Sequence, residues 1–246
     1  MGKYLKKFET ENDRNTYENS ESYIEPYVSY IDGGDVHYNK PPFFCRLTLS
    51  DDSVVEIEGS GELTSSMISS YRNTLVSAEI GTLCTSIGSG AFFPCTALTN
   101  VIIPDSVTII GSGAFNSCSS LISVAIPNSV ELMYGFTFRY CSNLTNVTIG
   151  SGITNIDMNN FEGCSSLSNI TIPSGVTSIG FNAFYGCSGL TSIIVEATTP
   201  PTLNGTNVFS NTNNCPIYVP SASVDAYKAA NGWSTYASRI QAIPTT

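Results

Sequence analysis

Basic residues are scarce. Lysine and arginine supply 10 of the 246 residues against 20 aspartates and glutamates, for a formal net charge of −10. A surface that neutralises phosphates needs clustered Lys or Arg, so no nucleic-acid partner is expected. Histidine occurs once, at His37, which leaves a histidine-centred triad or dyad a single possible centre. That residue stands in a hairpin-like stretch beside Asp35 and Tyr38 and reads as an ordinary hairpin side chain. No G-x-S-x-G, P-loop or G-x-G-x-x-G occurs, and no C-x-x-C pair offers converging metal ligands. The chain is therefore expected to be no enzyme and to hold no cofactor or metal. No run of 18 apolar residues occurs, so membrane insertion is not expected. The start, MGKYLKKFETENDRN, has lysines but no apolar stretch of the secretory-signal kind, so no signal peptide is read there.

Charge is low altogether. Charged residues make up 12% of the chain, about half the usual share. Most of it lies early: residues 1–80 hold 14 of the 20 acids. What fills the remainder is repetition. Cys95, Cys118, Cys141, Cys164 and Cys187 are spaced 23 apart. Phe92, Phe115, Phe138, Phe161 and Phe184 precede each by three, and Leu98, Leu121, Leu144, Leu167 and Leu190 follow each by three. The unit reads A-F-x-x-C-x-x-L-x-x-[VI]-x-[IV]-P-x-x-V-x-x-I-G. A degenerate copy stands upstream, with Leu75, Ala78, Ile80 and Ile87 in their places and Cys84 in a valine place.

A fixed period of 20–29 residues is the mark of a stacked array. One coil cannot bury its apolar side alone. Stacked coils share a core, and their strands lie about 4.8 Å apart. Pro104, Pro127 and Pro173 end the first strand of each unit because proline cannot donate to a ladder. Gly150 does so where proline is missing. "V-T-S-I-G" supplies a short second strand, and "A-F-Y-G-C" turns back with its phenylalanine in the core. The expected fold is a β-rich solenoid of 23-residue coils. Each cysteine is then one small apolar rung in a buried column.

These units resemble the BspA-type (Treponema pallidum-type) leucine-rich repeat of bacterial surface proteins, common in gut Bacteroidales. The segment IGSGAFFPCTALTNVIIPDSVTIIGSGAFNSCSSLISVAIP carries that likeness, which spans about residues 75–200. The tail CPIYVPSASVDAYKAANGWSTYASRIQAI is similar to the C-terminal end of the same family. It reads as a strand-helix cap over 201–246, with Ile217 to Val219 as a last strand and Ser221 or Ser223 capping a short helix. Trp233, Tyr236 and Ile240 then cover the open end of the core. The resemblance implies a cell-surface adhesion module.

Residues 1–45 do not follow the repeat. KYLKKFETENDRNTYENS suits a short helix, and Asp32-Gly33-Gly34-Asp35 signals a hairpin. Residues 46–74 offer a second hairpin-like pair, RLTLSDDSVVEIEG, and a capped helix in SGELTSSMISSYRN. The segments either make an N-terminal α+β cap or, for 1–45, a separate docking piece. The phrase YVSYIDGGDVHYN resembles N-terminal segments of virion and tail proteins of Bacteroides phages. That likeness implies an alternative: a virion-associated protein docked by its N-terminal segment to other virion proteins.

Two candidate contact surfaces follow. The outward residues of the first strands make an uncharged, hydrogen-bonding stripe, with Asn100, Ser123, Asn146, Thr148, Asn169, Thr171 and Ser192 as its candidate binding residues. Tyr134, Phe136, Arg139 and Tyr140 interrupt the consensus in one coil and form a candidate contact patch. The partner expected is a protein or glycan on a bacterial or host surface.

Overall fold

A computed structural model describes residues 42–244 and, for backbone alone, the strand residues 28–32 and 35–38. The chain divides into two compact units, Met1–Pro42 and Phe43–Thr246. In the first, Val28–Asp32 pairs antiparallel with Asp35–Tyr38, Asp32 opposite Asp35, as the Gly-Gly turn implies. The helix expected before residue 20, the side chain of His37 and the role of residues 1–41 lie outside the described residues.

The second unit is a solenoid. Six coils each carry a first-face strand, a second-face strand and a turn bearing a phenylalanine. Their first-face strands are Leu75–Ile80, Asn100–Ile102, Ser123–Ala125, Asn146–Thr148, Asn169–Ile172 and Ser192–Val195, here coils 1 to 6. Their second-face strands are Cys84–Ile87, Ile109–Ile110, Leu132–Met133, Asn155–Ile156, Ser178–Ile179 and Thr202–Leu203. Pairing between coils is parallel and in register, Val124 opposite Val147 and Ile170 opposite Ile193. That register puts identical side chains above one another. The phenylalanines Phe92, Phe115, Phe138, Phe161 and Phe184 stack nearly parallel, with centroids 5.0 to 5.6 Å apart. Phe209 continues the stack at 5.5 Å. It is a sixth rung that the 23-residue clock misses, because it follows Phe184 by 25 residues.

The front end is closed by antiparallel pairing. Cys45–Leu49 lies between Val54–Ile57 and the strand of coil 1, and Arg46 bridges Glu56 at 2.7 Å and Glu79 at 2.8 Å. The acidic pair in that hairpin serves the turn: Asp51 accepts from the Ser53 N–H, and Asp52 takes a left-handed φ of 63°. The helix expected next is present but short, Ser65–Ile68. It is not capped as expected: Thr64 stands at the N-cap, but its hydroxyl pairs with that of Ser66 instead of a backbone N–H. Ile68 is buried beneath it.

The rear end differs from expectation in two details. Ile217–Val219 is followed by one more parallel strand, Ile240–Ala242, which is the outermost. Ser223 does precede the helix Val224–Ala229, but its hydroxyl donates to Thr198 C=O at 2.7 Å and leaves the helix uncapped by side chain. Trp233, Tyr236 and Ile240 are buried as expected. Each polar tip is satisfied: the Trp233 indole donates to Pro201 C=O and the Tyr227 hydroxyl to Ala197 C=O, both at 2.7 Å. Among the described residues no helix is long and apolar enough to cross a membrane.

Candidate binding face

The five cysteines of the ladder are free and buried. They do more than fill space. The thiols of Cys118, Cys141, Cys164 and Cys187 each donate to the carbonyl of the phenylalanine 26 residues earlier, at 3.0 to 3.3 Å. Burial pushes the Cys141 and Cys187 thiols up to about 12 and the Cys95 thiol up to about 11. A thiol so placed is a poor nucleophile and a poor metal ligand. Among the described residues no group of three or more His, Cys, Asp or Glu converges as a metal site.

On the first face the strands alternate as a half-buried strand must. Val101, Val124, Val147, Ile170 and Ile193 point into the core, while Asn100, Ser123, Asn146, Thr148, Asn169 and Thr171 are exposed and Ser192 is half-buried. The stripe therefore faces outward. Its amides do not bond one another from coil to coil: Asn100 donates to Ser77 Oγ at 3.4 Å and Asn169 to Ser168 Oγ at 3.2 Å. The threonines at its margin are spent on the ladder, Thr145 donating to Ile122 C=O and Thr191 to Ser168 C=O. Ile102 and Ile122 stand exposed on the same face, at 53% and 52%.

The stripe is not uniform, because coil 4 is bonded to different neighbours on its two faces. Its first strand pairs with coil 3, and its second strand pairs with coil 5. Among the described residues, no ladder joins Asn146–Thr148 to Asn169–Ile172, nor Leu132–Met133 to Asn155–Ile156. The Ser168 N–H still reaches Thr145 C=O, at 3.4 Å, against 2.8 to 3.2 Å for the Thr99, Ile122, Thr145 and Thr191 counterparts. A column beside the second strand coincides with one of the two gaps. It runs Gly88, Gly111, Tyr134, Asp157, Gly180, Asn204. A Cβ on Gly111 or Gly180 would lie 2.5 or 2.4 Å from the backbone of the coil before, so a glycine there allows the closest stacking, although the strands beside Tyr134 and Asn204 also pair. Tyr134 over Asp157 is the one step of the column without a glycine. It is also where the second-face ladder fails. Coil 4 meanwhile rests hard on coil 3 at the end of its first strand, where a Cβ on Gly150 would lie 2.2 Å from Pro127 O.

On the first face this arrangement opens a cleft of about 380 Å³ between coils 4 and 5. Asn146, Thr148, Asn169 and Thr171 line it, with Asn128, Ser151 and Glu196 at the strand ends. Four of the seven residues expected from sequence thus meet at one place, while Asn100, Ser123 and Ser192 lie outside it. Glu196 was not anticipated. Its signal was its solitude, a carboxylate in an otherwise nearly charge-free array.

The repeat-breaking residues have an internal occupation. Arg139 bonds Glu162, one coil on, at 2.7 Å, and its guanidinium lies 4.4 Å from the Tyr140 ring centroid and 5.5 Å from that of Phe136. The Tyr140 hydroxyl also approaches Glu162, at 3.3 Å, and Asn159 donates to the same carboxylate. The hydrogen bond to Glu162, with the charge of that carboxylate and a smaller contribution from Tyr140, raises the Arg139 guanidinium pKa further. Phe136 and Tyr140 adopt left-handed φ of 66° and 59°. Tyr134 and Tyr140 keep about half their surface in solvent, at 48% and 45%.

Residues 85–216 match the BspA type leucine-rich repeat region in six copies. That is more than half of the chain. The protein belongs to the BspA-type leucine-rich repeat family. Among solved structures this BspA-type chain is similar to the leucine-rich repeat protein of T. pallidum, at 21% identity over 60% of this chain and 69% of that one, with a TM-score of 0.52. It also matches a leucine-rich cell surface protein of Faecalibacterium prausnitzii, at 23% identity over 70% of this chain and 61% of that one, TM-score 0.42. A leucine-rich repeat protein of Bacteroides ovatus aligns at 18% identity over 81% and 71%, TM-score 0.35. No curated protein matches the chain.

Proposed function

We propose that this BspA-type solenoid is a non-enzymatic interaction module that holds a protein or glycan of a bacterial or host surface on its first face, with the contact centred on the cleft between coils 4 and 5. The observation that carries this reading is the convergence of Asn146, Thr148, Asn169 and Thr171 around one opening in the ladder. Short amides and hydroxyls give directional hydrogen bonds, with Glu196 the one charged group in the lining, which suits a neutral polar ligand. Family membership supports the interaction role.

The test compares the wild-type chain with Asn146→Lys/Asn169→Lys on a glycan array and an array of bacterial surface proteins. Both positions are exposed, so the variant keeps its fold and its melting transition. Loss of the wild-type array signals in the lysine variant is the expected result. Undiminished signals would move the contact off this face.

A further inference from the structure

The phenylalanine turns bond forward, each coil donating to the next. The N–H of each phenylalanine reaches a carbonyl of the following coil: Phe92 to Ala114, Phe115 to Thr137, Phe138 to Asn160, Phe161 to Ala183 and Phe184 to Val208, at 2.8 to 3.0 Å. A second such donor stands two residues further on. Ser117 donates to Arg139 C=O, Tyr140 to Glu162, Gly163 to Tyr185 and Gly186 to Ser210, at 2.7 to 3.0 Å. All four have left-handed backbones, with φ of 59° to 73°.

In coil 6 the next turn is replaced by the cap. Tyr236 substitutes for one missing carbonyl: its hydroxyl accepts from the Phe209 N–H at 3.2 Å and donates to Thr206 C=O at 2.9 Å. The second donor is Asn211, with the same φ of 59°. Its N–H finds no acceptor among the described residues. Asn211 opens on a cleft of about 620 Å³ that Asn214, Thr235, Ser238 and Arg239 also border, and among the described residues no carboxylate lines it. Arg239 is fixed from behind by Cys215 C=O at 2.8 Å, Phe209 C=O at 3.2 Å and the Thr212 hydroxyl at 2.9 Å. Those acceptors hold the fork in place but are neutral, and among the described residues no carboxylate pairs with it.

We propose that this end cleft is a carboxylate-binding site, in which one carboxylate oxygen takes the place of the missing coil carbonyl on the Asn211 N–H while Arg239 supplies the opposing charge. The backbone donor is pre-set by the same left-handed turn that serves four earlier coils, so binding orders little that is not already ordered. Charge-assisted bonds from an N–H and a guanidinium are the stronger kind. The carboxylate comes either from a peptide C-terminus or from a small free acid. The site lies on the rear end of the stack and does not depend on the reading of the first face.

The test is a ¹H–¹⁵N titration of the full chain with acetate, with N-acetyl-Gly-Gly-Phe as free acid, and with the same peptide as carboxamide. The Asn211 amide is expected to move downfield and saturate in the millimolar range with the free acid, and the carboxamide to bind about tenfold more weakly. Acetate matching the peptide acid assigns the site to small free acids, and a tighter peptide acid assigns it to a C-terminus. Asn211→Gly keeps the N–H and the φ and is expected to bind unchanged, while Ser238→Asp, a rim change that leaves the cap bonds in place, abolishes saturation. Equal shifts from acid and carboxamide, or an Asn211 amide that does not saturate with either carboxylate, would overturn the proposal.

Discussion

The thiol of Cys164 donates to the carbonyl of Phe138 at 3.2 Å, and that carbonyl also accepts from the Cys141 N–H at 3.2 Å. One coil's cysteine thus closes the turn of the coil before. The bond needs the thiol proton, which ties the ladder to pH. An unfolded cysteine ionises near about 8.5, whereas Cys141 and Cys187 hold their protons to about 12. Above the unfolded value the unfolded chain has lost protons that the folded chain retains, so stability falls as pH rises. Unfolding free energies from urea titrations are expected to be level from neutral pH to about 8 and then to drop by about 1.4 kcal/mol per pH unit for each such thiol, the midpoint falling with them. Cys141→Ala/Cys187→Ala should lessen that slope by about 2.8 kcal/mol per pH unit and leave the part due to Cys118 and Cys164, whose pKa values burial also raises. A midpoint that stays level to pH 10 would refute the thiol linkage.

Two glycines separate the needs of packing from those of the turn. A Cβ on Gly180 would lie 2.4 Å from Met158 N, whereas one on Gly175 would meet nothing nearer than Ser151 O at 3.4 Å. Neither position requires a left-handed φ. Gly180→Ala is expected to destabilise by about 2–4 kcal/mol through forced separation of coils 4 and 5. Gly175→Ala should be neutral or stabilising by about 0.5 kcal/mol. Thermal melts of the two variants decide it, and equal costs would mean that the coils give way freely.

The repeat made most of this fold legible. A 23-residue spacing with in-register side chains predicts the buried columns of Phe, Cys, Leu and Val/Ile, and all of them are buried. What escaped was whatever breaks translation. Phe209 is displaced by a lengthened loop, and Cys215 stands six residues after it instead of three. Ile240–Ala242 has the short, polar-flanked look of a helix end. The cleft between coils 4 and 5 depends on how one coil sits on two neighbours, which no single unit encodes. Arg139 and Glu162, by contrast, were readable: opposite charges one period apart must lie in one column.

That pair makes its own forecast. Glu162 is nearly buried, with 11% of its side chain exposed, and Arg139 shows 30%. Removing Arg139 alone leaves the carboxylate with Asn159 and Tyr140. Arg139→Met is expected to lose about 2–3 kcal/mol, a buried-pair cost reduced for partial solvent screening. Arg139→Met/Glu162→Gln should recover at least half of it. Additive losses in the double-mutant cycle would show that the two side chains act independently.

The seam beside coil 4 can be closed on purpose if the glycine column is its cause. Tyr134 over Asp157 is the one step of that column in which both residues carry a Cβ, and the N–H groups of Thr154 and Asp157 lack the backward bonds that Thr177 and Gly180 make to Thr154 and Ile156. Asp157→Gly restores a glycine to that step. It also removes the Asp157 carboxylate that accepts from the Met158 N–H at 2.7 Å and adds unfolded-chain entropy of about 0.5–1 kcal/mol. Global stability should therefore change little. The local readout is cleaner: amide exchange at 154 and 157 should slow by about tenfold or more as both N–H groups gain partners in coil 3. Closing the second face lets coil 4 lie flat between its neighbours, so exchange at 170 and 172, across the first-face cleft, should slow with it. Unchanged exchange at 154 and 157 would clear the column of responsibility. Slowing there without any change at 170 and 172 would mean that the two gaps are independent and that the cleft has its own cause.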